Sequence, residues 1–165
     1  MIRDVRPDDA VYLAAIYRPY VLQTAITFEI TPPDETEFAG RIAACRYPYL
    51  VLEEEGEILG YAYASPLKTR EAYRVSAELS IYLKPEAKGK GYGRLLYGEL
   101  EAGLKKQGVT NLYAIVTYCE PENEYLTHDS VKFHIAMGFE KVGHLHECGE
   151  KFGRRFDTLY FEKKI

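Results

Sequence analysis

The chain has 165 residues, 47% of them hydrophobic and 28% charged, which suits one domain with a real core and excludes the disordered and fibrous classes. A net charge of −4 argues against nucleic acid as the main partner, because counterion release needs a broad basic surface. Apolar runs such as Tyr49–Leu52 fall far short of the roughly 18 residues of a membrane span, and Arg3, Asp4, Arg6, Asp8 and Asp9 interrupt any leader-like core. The expectation is one cytoplasmic domain over residues 1–165 with no membrane contact.

Cys45, Cys119 and Cys148 are widely spaced and form no C-x-x-C pair, so reduced structural thiols are expected rather than a zinc or redox motif. Fifteen tyrosines and no tryptophan are unusual. Tyrosine, with an apolar ring and a polar tip, suits half-buried strands and pocket walls.

In chain order, Met1–Val5 reads as an edge strand. Pro7-Asp8-Asp9 starts a helix with Val11, Leu13, Ala14 and Tyr17 as its apolar stripe and Pro19 as its bend or end. Ile26–Ile30 reads as extended, up to Thr31-Pro32-Pro33-Asp34. A second helix spans about Asp34–Arg46, with Phe38, Ile42 and Cys45 on one face. Tyr49–Leu52 and Ile58–Tyr63 form a hairpin around Gly56, and Ser65–Arg74 is a polar stretch. In Ala77–Leu83 the alternation is clean: Ala77, Leu79, Ile81 and Leu83 point one way, and Glu78, Ser80 and Tyr82 the other. Gly91–Gln107 is the strongest helix, with Leu96, Leu100 and Leu104 at steps of four and Gly108 as its stop. Leu112–Thr117 is a strand, Cys119–Thr127 an acidic loop, and a helix capped by Thr127 or Asp129 runs to Met137 and Gly138. Phe139–His146 and Phe156–Phe161 close the sheet. The order β-α-α-β-β-β-α-β-α-β-β reads as an α/β fold, a mixed sheet with helices on both faces.

The most informative segment is Lys84–Arg94. Lys84, Lys88, Lys90 and Arg94 outnumber Glu86, a local net of +3 in an acidic chain. Gly89, Gly91 and Gly93 let backbone N–H groups approach an anion, and the helix that follows adds its positive end. Together these describe a diphosphate cradle. Lys90 is not followed by the Ser or Thr of a P-loop, and Arg94 stands where a dinucleotide fingerprint needs glycine.

Lys88-Gly89-Lys90-Gly91-Tyr92-Gly93 resembles the acetyl-CoA loop, Arg/Gln-x-x-Gly-x-Gly/Ala, of the GCN5-related N-acetyltransferases (GNAT). The resemblance covers nearly the whole chain and narrows to the phosphinothricin and methionine sulfoximine N-acetyltransferase branch. It does so through Phe28-Glu29, Leu67–Tyr73, Ala77–Leu83, Asp129–His134, Met137-Gly138-Phe139 and Lys151–Arg154. It implies a GNAT fold of about six to seven strands and four helices, acetyl-CoA as cosubstrate, and a small primary amine as acceptor, of the class of an amino acid or an analogue such as phosphinothricin or methionine sulfoximine. By resemblance, the backbone of Ile81, Tyr82 and Leu83 pairs with the pantetheine arm, Gly89 through Arg94 hold the pyrophosphate beside Lys88, and Ser130 lies near the cofactor. Phe28, Glu71, Ala72 and Tyr73 wall the acceptor site, although Phe28 and Tyr73 equally suit a core. Lys68 and Arg70 lie beside that turn and suit a carboxylate. A homodimer is also suggested by the resemblance alone. The chain departs from the family at Lys88 (commonly Arg or Gln), Thr127 (an asparagine that contacts the cofactor) and Arg155 (a tryptophan).

Acetyl transfer needs a neutral amine close to the thioester and a group to take its proton. Strand alternation places Glu78 opposite the core side, and the resemblance gives it the same role of general base. His134 stands where relatives carry a tyrosine thought to protonate the leaving thiolate. His144 and His146 share a strand face, but two ligands without a third argue against a metal site. No Gly-x-Ser-x-Gly turn supports a serine nucleophile. Two alternatives remain open: acetyl transfer to a protein N-terminus, polyamine or antibiotic, and a non-catalytic acyl-CoA binding module.

Overall fold

The computed structural model describes residues 1–165. Strand β1 (Ile2–Asp4) leads through a 3-10 turn at Pro7–Asp9 into α1 (Ala10–Gln23) and α2 (Glu35–Ala44). The hairpin β2 (Tyr49–Glu54) and β3 (Glu57–Pro66) precedes β4 (Ser76–Leu83), and α3 (Tyr92–Lys106) carries the chain to β5 (Asn111–Tyr118). Helix α4 (Asp129–Ala136) and the long hairpin β6 (Glu140–Lys151) and β7 (Arg154–Lys164) complete it. The seven strands lie in the order β1-β2-β3-β4-β5-β7-β6. Every neighbouring pair is antiparallel except β4 and β5, the pair that α3 connects.

Alternation along the strands divides the core between two faces. On one, Leu13, Tyr17, Tyr20 and Val21 of α1 and Phe38 of α2 cover Tyr49, Val51 and Tyr61. On the other, Leu96, Leu100 and Leu104 of α3 are fully buried on Leu52, Ala62, Leu79 and Leu112. Each such leucine contributes about 2 kcal/mol by leaving water. Near β1, the Arg3 guanidinium donates to both oxygens of buried Asp9 at 2.8 and 3.0 Å, and the Arg6 N–H donates to Asp9 Oδ2 at 2.7 Å.

The sequence-based elements need four corrections. Pro19 does not end α1, which runs on to Gln23. An interior proline costs roughly 3 kcal/mol, and burial of Tyr20 and Val21 beyond it offsets that. Val11 is exposed, and Ile16 and Tyr20 take its place in the stripe. Ile26–Ile30 is no strand: the Ile26 and Thr27 carbonyls accept from the Thr117 hydroxyl and the Lys151 ammonium, so side chains replace a ladder. Helix α4 has no side-chain N-cap. Thr127 Oγ1 does accept weakly from the Asp129 N–H, at 3.4 Å, and the His128 N–H donates to Glu122.

Candidate active site

Strands β4 and β5 pair at Ser76–Asn111, Ala77–Leu112 and Glu78–Tyr113, and then part. Between them opens a wedge of about 60 Å³, walled by residues 79–82 of β4 and 114–117 of β5. Tyr97, Ser130 and His134 close its α3–α4 side. An unpaired strand edge offers N–H and C=O groups to an extended ligand such as a pantetheine arm. Ile81, Tyr82 and Ser130, three of the residues expected beside the cofactor, all line the wedge. Leu83 does not line this wedge, and its carbonyl already accepts from the Tyr20 hydroxyl at 2.5 Å.

Beyond β4, the chain makes a 3-10 turn at Pro85–Ala87 and then passes through Gly89 and Gly91, both left-handed with φ of 73° and 82°. A side chain at either would be strained, and the space where a Cβ would sit is open. The backbone N–H groups of residues 89–93 reach no protein acceptor. They stand at the start of α3, where the helix dipole is positive, and so form an anion cradle. Lys90 and Arg94 are exposed beside it, and Lys88 lies with Nζ 5.0 Å from the Tyr20 ring centroid. Tyr92 turns away, its hydroxyl donating to Glu54. The missing side chain of Gly93 also serves packing. A Cβ there would lie 3.0 Å from the Phe133 ring, so its bareness lets α3 and α4 meet.

Glu78 sits half-buried at the point of the wedge, on the face turned away from α3. Burial raises its carboxyl pKa, and the positive charge of Lys68 opposes that rise. His134 lines the wedge but is itself buried. Its Nδ1–H donates to the Ser130 carbonyl at 2.7 Å, which leaves Nε2 to accept from the Tyr97 hydroxyl at 3.0 Å. Burial pushes the imidazole below its ordinary range, against the Ser130 hydrogen bond. The expected proton donor is therefore a neutral ring with both nitrogens engaged.

The expected acceptor wall is split. Phe28 packs on β6, where a methyl on Gly149 would fall 2.3 Å from its ring. Its loop is fixed by Lys151 Nζ donating to the Thr27 carbonyl at 2.8 Å, by Tyr17 bonded to Thr27 Oγ1 at 2.6 Å, and by Arg41 paired with Glu29 at 2.5 Å. Glu71, Ala72 and Tyr73 form an exposed 3-10 turn (Glu71–Val75) ahead of β4. None of these wall residues lines the wedge.

Sequence reasoning does not find the second cavity, of about 450 Å³ beneath α2, lined by Tyr17, Phe38, Arg41, Tyr49, Tyr61 and Tyr63 among others. Its rim includes Ser65, the cross-strand partner of Glu78. The abundance of tyrosine is the available signal, but these rings come from two helices and two strands and meet only on folding.

Residues 2–160 match the acetyltransferase (GNAT) domain family. The chain is 37% identical to a phosphinothricin N-acetyltransferase of Alcaligenes faecalis, with 99% of this chain and 82% of that protein covered. It is 32% identical to an L-methionine sulfoximine/L-methionine sulfone acetyltransferase of Pseudomonas paraeruginosa, covering 99% and 94%. Among solved structures, a GNAT superfamily phosphinothricin acetyltransferase from Sinorhizobium meliloti in complex with AcCoA superposes with a TM-score of 0.90 at 38% identity, covering 100% of this chain and 88% of that one.

Proposed function

The chain belongs to the GNAT acetyltransferase family and is an acetyl-CoA-dependent N-acetyltransferase, and from that premise we propose that it acetylates the primary amine of a small amino acid or analogue by direct attack, with Glu78 as general base. The observation that carries this reading is the parting of β4 from β5 immediately after Glu78. The wedge and the glycine cradle fit the cosubstrate: unpartnered N–H groups of residues 89–93 for the diphosphate, and the free edge at Ile81 and Tyr82 for the arm.

Acetyl-CoA supplies the acyl group as a thioester. In this reading Glu78, directly or through one water, takes a proton from the incoming ammonium. The neutral amine then attacks the thioester carbonyl: a C–N bond forms, the C–S bond breaks, the nitrogen gives up its second proton to solvent, and the thiolate takes one from solvent. Burial moves the Glu78 pKa upward, the direction that makes a carboxylate a better base. His134 acts as a positioning residue that holds Tyr97 in the wedge wall. Lys68, whose charge acts on Glu78, is in this reading the cation that meets an acceptor carboxylate. Names of relatives acting on phosphinothricin and methionine sulfoximine support an amino-acid-like acceptor. No helix is long and apolar enough to cross a membrane, and the free thiols of Cys45, Cys119 and Cys148 support a reducing, cytoplasmic setting.

The test is Glu78→Gln. Turnover at neutral pH should fall by about 10²–10⁴, while acetyl-CoA binding measured by calorimetry stays close to wild type. Unchanged turnover removes Glu78 from the role, and a panel of amines assayed for thiol release identifies the acceptor class.

A further inference from the structure

We propose that His144, His146 and Asp157 form a binding site for a divalent transition-metal ion of the zinc type, separate from the acetyl-transfer wedge. His144 and His146 lie two apart on β6 and so share a face. Their rings are stacked, with centroids 4.0 Å apart and planes at 18°. The third group, invisible in the local sequence, comes from β7. Between the rungs Leu145–Thr158 and Gly149–Phe156, β6 bulges while β7 runs straight, and Asp157 lies opposite the bulge.

The bulge wraps the carboxylate. Glu147, at φ 48°, turns its N–H onto Asp157 Oδ1 at 2.7 Å, and His144 Nε2 meets Asp157 Oδ2 at 2.6 Å. One donor atom from each of the three residues lies within 4.8 Å of the others. Tetrahedral zinc, with bonds of about 2.1 Å, needs its ligand atoms roughly 3.4 Å apart. The His144–Asp157 contact must open slightly and exposed His146 must rotate inward. Two imidazoles and one carboxylate are a donor set that zinc, nickel and copper accept.

The surroundings already orient the ligands. The Glu147 N–H fixes the carboxylate, and the Tyr118 ring stands edge-on to His144 at 5.9 Å and 89°. Such outer contacts hold ligand rotamers in metal sites. A solvated His–Asp pair is the competing account, and it gives His146 no role.

Untagged protein titrated with Zn²⁺ at neutral pH by calorimetry should bind one equivalent per chain with a Kd of about micromolar or tighter. Added Co²⁺ should give the visible absorption of a tetrahedral complex. His146→Ala changes an exposed side chain and should weaken binding by more than about tenfold. His128→Ala should leave it unchanged, because His128 stacks on Tyr118 without joining the three ligands. Three results would overturn the site: no binding below about millimolar Zn²⁺, equal binding by His146→Ala and wild type, or an equal loss in His128→Ala.

Discussion

Glu78 and Tyr113 form the last rung at which β4 and β5 are joined, and the sheet opens into the wedge directly beyond them. The same backbone step that ends the ladder therefore sets Glu78 at the closed end of the gap. The tyrosine-lined cavity ends one strand away, its rim including Ser65, the cross-strand partner of Glu78.

Lys68 tunes that carboxylate. Burial raises the Glu78 pKa and the Lys68 charge lowers it, so Lys68→Ala should raise it further. A base is active above its pKa, so the acid limb of the kcat/KM profile should move to higher pH in Lys68→Ala and return in Lys68→Arg. An acid limb that stays in place or moves to lower pH would show that Lys68 does not act on the proposed base.

The loop glycines separate binding from packing. Gly91→Ala forces alanine to φ 82° in open space, a strain of about 1–2 kcal/mol, and sets a methyl in the cradle. The Michaelis constant for acetyl-CoA should rise about tenfold or more, equivalent to 1.4 kcal/mol, with turnover at saturation nearly kept. Gly93→Ala instead meets Phe133 at 3.0 Å and should lower the melting temperature through roughly 1–3 kcal/mol of overpacking. Equal effects of the two changes on cofactor affinity would refute this division.

Much of this arrangement is legible in the unfolded chain. The alternation of Ala77–Leu83 sets Glu78 against Leu79, and the glycines of residues 89–93 announce an anion cradle. Local rules fail where distant chain decides. Pro19 stays helical because residues beyond it are buried on the sheet, and Ile26–Ile30 is held by Thr117 and Lys151 rather than by a strand. The role of His134 depends on burial and on Tyr97, neither of which its position in the sequence reveals. Asp157 joins His144 only through a bulge in the β6–β7 register.

Tyr97→Phe isolates the hydroxyl that His134 receives. The phenol is buried and its oxygen lies 3.0 Å from Nε2. Its loss leaves a buried ring nitrogen without a donor, at about 1–3 kcal/mol. For a chain of this size that lowers the melting temperature by about 2–4 °C per kcal/mol. A melting temperature equal to wild type would mean that His134 finds another partner.

Stability should also report the protonation of His134. Its folded pKa lies below the ordinary value of 6.5, because burial disfavours the charged ring. The unfolded chain then binds the proton more readily, so unfolding free energy is fully present above pH 6.5 and is lost as pH falls from there through the depressed folded value. Carboxylates held low in the folded chain begin to act only below their own ordinary values, 3.8 for Asp9 beside Arg3 and 4.5 for Glu29 beside Arg41. Urea unfolding of wild type between the ordinary histidine value of 6.5 and the glutamate value of 4.5 should show stability declining with acidity. His134→Gln, which keeps a donor and an acceptor but cannot titrate, should start lower at neutral pH and show a flatter decline. A decline as steep in the variant as in wild type would assign the effect to other groups.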